Sequence, residues 1–263
     1  MRTVLKRELI QNFKNLLIWS LSVGILGLFC ILLYDSMQGD MKEMADAFSN
    51  MGAFSDAFGM STLSIATLKG YFSTEIGAVH GLGSGMFAAI TAISIISKEE
   101  DGHSGEFLFS LPLSRSRIIA AKGLCVAIMI IIFTAVCTGF YVIGFNILGE
   151  EMPMDQFFTF MGTQLLMNAE IAGICFGLSS LAGKNRIGLG LGIALLCYSY
   201  DVMGRVVPDL KDYLFVGPYS YCNAAEIFTE TETPAKALVT AAVVLVLCVV
   251  FAFWNFNRRD LAS

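Results

Sequence analysis

Gln164, Asn168 and Glu170 are the residues best placed to do chemistry in this sequence. They fall within residues 157–182, where Glu170 is the one charged side chain. Gln164 and Asn168 stand one helical turn apart, and with Glu170 they form a small polar face. A charged carboxylate at the middle of a membrane span costs about 2.5 kcal/mol or more, so Glu170 needs a reason to be there. Two readings fit. It is a substrate-path or proton-coupling carboxylate, or it is structural, protonated or hydrogen-bonded to a neighbouring helix. The sequence offers no second buried charge to pair with it. His80, the one titratable group in residues 76–97, is expected near the outer end of its helix, hydrogen-bonding at the headgroup level.

Other chemistries lack their residues. The seven cysteines form no CxxC, and there are only two histidines. Six cysteines lie in apolar runs, where Cys acts as a small hydrophobe. No metal site or disulfide framework is expected. HExxH, GxSxG and paired intramembrane aspartates are absent, as is a GxxxxGK[ST] phosphate loop. The nearest string, Gly177 to Gly183-Lys184, has the wrong spacing and Asn185 where Ser or Thr is needed.

The most specific segment is residues 98–122. It opens with Glu99, Glu100 and Asp101 and continues through Gly105, Glu106, Phe107, Leu108, Leu111 and Pro112 to Ser114 and Arg115. Ser104 can cap a short helix bearing Phe107, Leu108 and Leu111, which Pro112 ends. Ser114 can cap a second helix that runs through Ile118 and Lys122. An apolar tip flanked by charges suits a mechanical contact with a soluble partner, and exposed apolar residues fit poorly with an ordinary solvated connection.

Long apolar runs hold these groups in place. Hydrophobic residues make up 56% of the chain and charged ones 15%, against ~25% charge in a soluble domain. Mean hydropathy is +0.68. A 20-residue helix covers ~30 Å, the hydrocarbon thickness of a bilayer. Six spans are predicted, at 16–34, 76–97, 123–148, 157–182, 187–207 and 237–256. With six, both termini share a side. If that side is the cytoplasm, 12 of the 17 Lys and Arg lie inside and 5 outside, the sign of the positive-inside rule. The expectation is a multi-pass cell-membrane protein of one domain with both termini cytoplasmic. Nothing in the charge pattern calls for nucleic acid.

The first apolar run is too long for a signal-peptide core and is expected to remain. Before it, Leu5, Leu9, Phe13 and Leu16 alternate with Lys6, Arg7 and Lys14 at helical spacing. This predicts an amphipathic helix lying on the inner membrane face, the alternative being a cytosolic extension of the first span. Outside loops are expected at 35–75 and 208–236. Met44, Phe48, Met51, Phe54 and Phe58 in the first read as one amphipathic helix, and the second suits a re-entrant or surface-lying segment. Gly77, Gly81 and Gly85, Gly173 and Gly177, and Gly188 and Gly192 mark close helix contacts.

The 98–122 segment resembles the loop of ABC-2-type ABC transporter permeases: an acidic cluster, Glu, two apolar residues, Ser-x-Pro-x-Ser-Arg, then Ile and Lys. Glu99, Glu100, Glu106, Phe107, Leu108, Ser110, Pro112, Ser114, Arg115, Ile118 and Lys122 match. The ending Asn257 to Leu261 also looks like the family's, and the basic N-terminus resembles its connecting helix. The stretch Gly102 to Gly105 departs from the more compact Gly-Thr of many relatives. The resemblance implies an all-α, type V exporter-like architecture. It implies a non-catalytic permease that exports a peptide, drug, lipid or glycan. A separate ABC ATPase subunit, carrying ATP and Mg, would dock on the loop, and permeases would pair as a homodimer or heterodimer. No cofactor is expected on this chain. The alternative is an ion-coupled secondary transporter using Glu170.

Overall fold

A computed structural model describes residues 1–101, 113–181, 183–229 and 235–258, and is helical with no strand among them. In chain order the helices are α1 (Arg2–Ser49), α2 (Ala53–Phe58), α3 (Leu68–Tyr71), α4 (Gly77–Ser94), α5 (Lys98–Asp101), α6 (Arg115–Leu148), α7 (Met154–Ser179), α8 (Ile187–Val206), α9 (Pro208–Lys211), α10 (Ala224–Phe228) and α11 (Ala235–Arg258).

Among the described residues, five helical stretches are long and apolar enough to cross a membrane: Arg2–Asp40, Leu68–Ser94, Arg115–Leu148, Ile187–Val206 and Ala235–Arg258. Helix α7 has 26 residues, about 39 Å, so its length suffices. Gln164, Asn168 and Glu170 dilute its apolar character, and all three are buried. Its polar face is turned into protein.

No break separates the basic N-terminal segment from the first apolar run. The 48 residues of α1 form one helix, about 72 Å long, so the segment takes the form of the extension rather than a separate surface helix. Its buried seam runs through Val4, Glu8, Leu16, Ser20, Val23, Ile31 and Tyr34, while Phe13 is exposed. That seam packs along α6 in parallel. Gly24 lies under Phe140, Gly27 under Tyr141, and Gly144 under Leu28 and Ile31. A methyl group on Gly27 would collide with the Tyr141 ring.

Helices α4, α7 and α11 also run parallel to one another. Gly81 faces Gln164, and Ser179 Oγ accepts from Ile96 N–H at 3.3 Å. Gly173 faces Leu245 and Gly177 faces Cys248. Of the predicted glycine contacts, Gly188 and Gly192 have no neighbour among the described residues, and Gly190 makes the contact instead, against Ile93 and the Ala89 carbonyl.

One irregular π-helical turn, Phe72–Ile76, joins α3 to α4. Buried Phe72 there meets the rings of Tyr141, Phe145, Phe157, Phe160 and Phe228, with centroids 5.6–6.1 Å apart. His80 does not reach out of the bundle to a headgroup. It is fully buried, its Nδ1 lies 3.0 Å from the Tyr141 hydroxyl, and its ring packs against Phe133 and Phe160. The stripe from Met44 to Phe58 is not one helix either. α1 ends at Ser49, and Gly52, at φ +58°, turns the chain before α2, a conformation that favours glycine. Met51 and Phe54 are exposed, and the side chains of Met44, Phe48 and Phe58 lie outside the described set.

Candidate functional site

Two buried polar assemblies lie at opposite ends of the bundle. The first closes the root of the 98–122 loop. Lys122, about two turns into α6 from Ser114, has no exposed surface. An ammonium group has three donors, and all three are used. Nζ donates to Glu8 Oε1 at 3.0 Å, to Glu99 Oε2 at 2.5 Å and to the Ile95 carbonyl at 2.5 Å. Lys98 Nζ donates to Glu8 Oε2 at 2.5 Å and to Gln11 Oε1 at 3.1 Å. Glu8 thus holds one lysine on each oxygen. Burial pushes the Glu99 carboxyl above its ordinary range; Lys122 pulls it down, and the negative charge of Glu8 adds to the rise. Two carboxylates and two ammonium groups balance, which lets four charges share a site nearly closed to water.

This cluster gathers α1, the end of α4, α5 and α6. It therefore clamps both chain ends from which the loop departs. Of the predicted loop residues, Glu99 is a member. Glu100 lies on α5, its side chain outside the described set. Gly105, Glu106, Phe107, Leu108, Leu111 and Pro112 lie outside the described residues. Ser114 holds the N-cap position of α6, but through its backbone. Its carbonyl accepts from Arg117 and Ile118 N–H at 2.9 and 3.2 Å, and its side chain makes no capping bond. Arg115 is half-buried at the first turn. Sequence reasoning missed Glu8. Its signal was being the one acid among the first 34 residues.

The second assembly is built on the re-entry of the 208–236 loop, where residues 217–223 fold back into the bundle. Tyr219 Oη donates to the Gly81 carbonyl at 3.2 Å. Gln164 Nε2 donates to the Cys222 carbonyl at 3.2 Å, and Tyr221 Oη donates to Glu170 Oε2 at 2.7 Å. All three bonds are buried. Gly85 leaves the room that the Tyr219 hydroxyl fills. Buried backbone needs such partners wherever it leaves regular structure. Just outside, Arg205 binds Asp201 with two bonds of 2.9 and 3.0 Å and Glu226 with one of 2.5 Å, tying α8 to α10.

The three residues of the predicted polar face therefore separate in role. Gln164 and Glu170 both hold the re-entrant segment. Asn168 is buried, and neither of its side-chain polar atoms has a partner among the described residues. Gln164 also lines a cavity of about 50 Å³ with Ser73, Asp201 and Tyr219, room for a water molecule or two. Among the described residues no group of His, Cys, Asp and Glu is arranged to hold a metal ion.

The sequence matches the family described as ABC-2 family transporter protein over residues 2–261. The chain belongs to that family. Among curated proteins, none matches it. As an ABC-2 chain it is a membrane transporter component, and permeases of this family sit in a membrane and pair with an ABC ATPase subunit. The clamped loop root and the re-entrant segment are thus two ends of one transporter chain.

Proposed function

We propose that this chain is the six-span permease subunit of an ATP-driven exporter. Both ends and the 98–122 loop face the cytoplasm, and a separate ATPase docks on that loop. The observation that carries the reading is the buried cluster of Glu8, Lys98, Glu99 and Lys122. A connection that merely joined two spans would gain nothing from four buried charges. A loop that receives force needs a root that cannot slip, and these ion pairs fasten it to α1, α4 and α6 together.

Helix α7 serves as the sixth span. Its polar face is covered by protein, as charged residues at membrane depth require, and it runs parallel to α4 and α11. Six spans with 12 basic residues on the side of the termini fit cytoplasmic ends. Two permeases, identical or related, would pair so that two ATPases close against each other.

The test is the double change Leu108→Ala with Leu111→Ala, in a chain produced together with its ABC ATPase subunit. Truncating an apolar anchor commonly costs ~2 kcal/mol, about a thirtyfold loss of affinity. The ATPase should be lost on pull-down, or its hydrolysis uncoupled from transport, with membrane insertion normal. Phe54→Ala, on the opposite side, should leave binding intact. Full affinity and normal transport in the double variant would remove the loop from this role.

A further inference from the structure

Helices α6, α7 and α11 leave between them a slot of about 420 Å³. Small residues open it: Ala120, Gly123 and Ala127 on α6, and Ala169, Ala172 and Gly173 on α7. Leu245, Val249 and Phe253 of α11 form the facing wall, and no charged side chain lines it. Along α6 the lining runs from Ala120 to Ile130, about 15 Å, half of the ~30 Å hydrocarbon layer. The slot has the depth of one leaflet.

One end of the slot is closed and positively charged. Ser116 Oγ donates to Asn257 Oδ1 at 3.1 Å, and Asn255 Nδ2 donates to the Ser180 carbonyl at 2.7 Å. These bonds join α11 to α6 and to α7 just beyond the slot. Arg117 is exposed there and lies on the α6 stripe of Ala120, Leu124 and Ala127. Exposed Arg258 stacks over Trp254, its guanidinium 4.7 Å from the ring. A half-exposed tryptophan beside arginine marks the headgroup level of a membrane helix.

Volume decides what fits. A methylene fills about as much space as a water molecule, ~30 Å³, so the slot takes on the order of 14 of them. A helix ~10 Å across and 15 Å long would need about 1,200 Å³, roughly three times what is there. We propose that the slot binds one acyl chain of an anionic phospholipid from the leaflet on the Arg117 side, with its phosphate at Arg117. Arg117 recognises the headgroup charge, and the slot recognises a single unbranched chain. The inference rests only on the chain lying in a membrane, not on the ATPase or on transport.

The test is native mass spectrometry of the full chain, extracted in detergent and titrated with phosphatidylglycerol or phosphatidylcholine of the same acyl composition. One phosphatidylglycerol per chain should be retained in preference to phosphatidylcholine. Arg117→Gln, a surface change, should weaken phosphatidylglycerol retention about fivefold and leave phosphatidylcholine unchanged. Gly123→Leu with Ala127→Leu should abolish retention of both. A Cβ at Gly123 meets only the Phe176 ring, at 3.5 Å and beyond, so the filled slot is compatible with folding. Equal retention of the two lipids, insensitive to Arg117→Gln, would overturn the headgroup assignment. Undiminished lipid in the filled variant, or loss of a dimer in place of lipid, would overturn the site itself.

Discussion

Replacing Lys122 by methionine should destabilise this chain by about 3–5 kcal/mol, the cost of breaking a buried ion pair by removing one partner. Methionine keeps much of the volume and removes all three donors. Glu8 and Glu99 would then share a closed site with Lys98 alone, and the Ile95 carbonyl would lose the ammonium bond. Thermal unfolding in a fixed detergent, followed by the fluorescence of Trp19 and Trp254, should show a midpoint about 6–20 °C lower. The decisive comparison is the triple variant Lys122→Met, Glu8→Gln, Glu99→Gln. It removes the stranded charges and leaves Lys98, 23% exposed, able to reach water. Replacing a whole buried charged group is often close to neutral, so the triple variant should recover to within about 1 kcal/mol of the parent. Glu99 should tolerate the neutral amide best, since its surroundings already disfavour the ionised carboxyl. A Lys122→Met chain that unfolds at the parental midpoint would show that the ion pairs do not fasten the loop root.

Two further outcomes follow from the same geometry. Glu170→Gln can still accept from Tyr221 and should assemble and transport normally, whereas Tyr221→Phe should loosen residues 217–223 by about 1–3 kcal/mol, read as faster proteolysis of that loop. Loss of transport in Glu170→Gln with ATPase activity retained would instead make this carboxylate part of the substrate path. Single cysteines at Ser49 and Ser104 should react with impermeant reagents from opposite sides of the membrane; labelling from one side would sink the six-span topology.

The apolar runs were legible because a bilayer demands length and hydrophobicity from each span by itself, a local property. Contacts between distant residues were not. The stripe of Leu5, Leu9, Phe13 and Leu16 reads as the apolar face of a surface helix. The buried seam instead runs through Val4, Glu8 and Leu16, with a carboxylate in its middle. Glu8 is tolerable there only because Lys98 and Lys122, 90 and 114 positions away, meet it, and no periodicity reports such a meeting. Gly188 and Gly192 carry the same spacing as Gly81 and Gly85, yet meet no neighbour among the described residues; spacing shows where a helix can be approached, not by what. Glu170 was visible as costly, and the loop that satisfies it reads as re-entrant or surface-lying, but no spacing shows that Tyr221 is the side chain that reaches the carboxylate.

Helix α4 links the two ends of the site. Lys122 holds its end at the loop root through the Ile95 carbonyl, and Tyr219 holds its other half through the Gly81 carbonyl. These contacts are fourteen residues apart, about 21 Å along one helix. Beside it α7 repeats the pattern, with Ser179 bound to Ile96 at one end and Gln164 bound to Cys222 at the other. A displacement of the loop root would therefore reach residues 217–223 through two parallel rods, without crossing a flexible connection. The irregular turn Phe72–Ile76 lies beyond Gly81, not between the contacts. Bending favours such irregular turns over regular helix, so the stiff part of α4 spans the distance between loop root and re-entrant segment, and its weak point falls at the end away from the loop root.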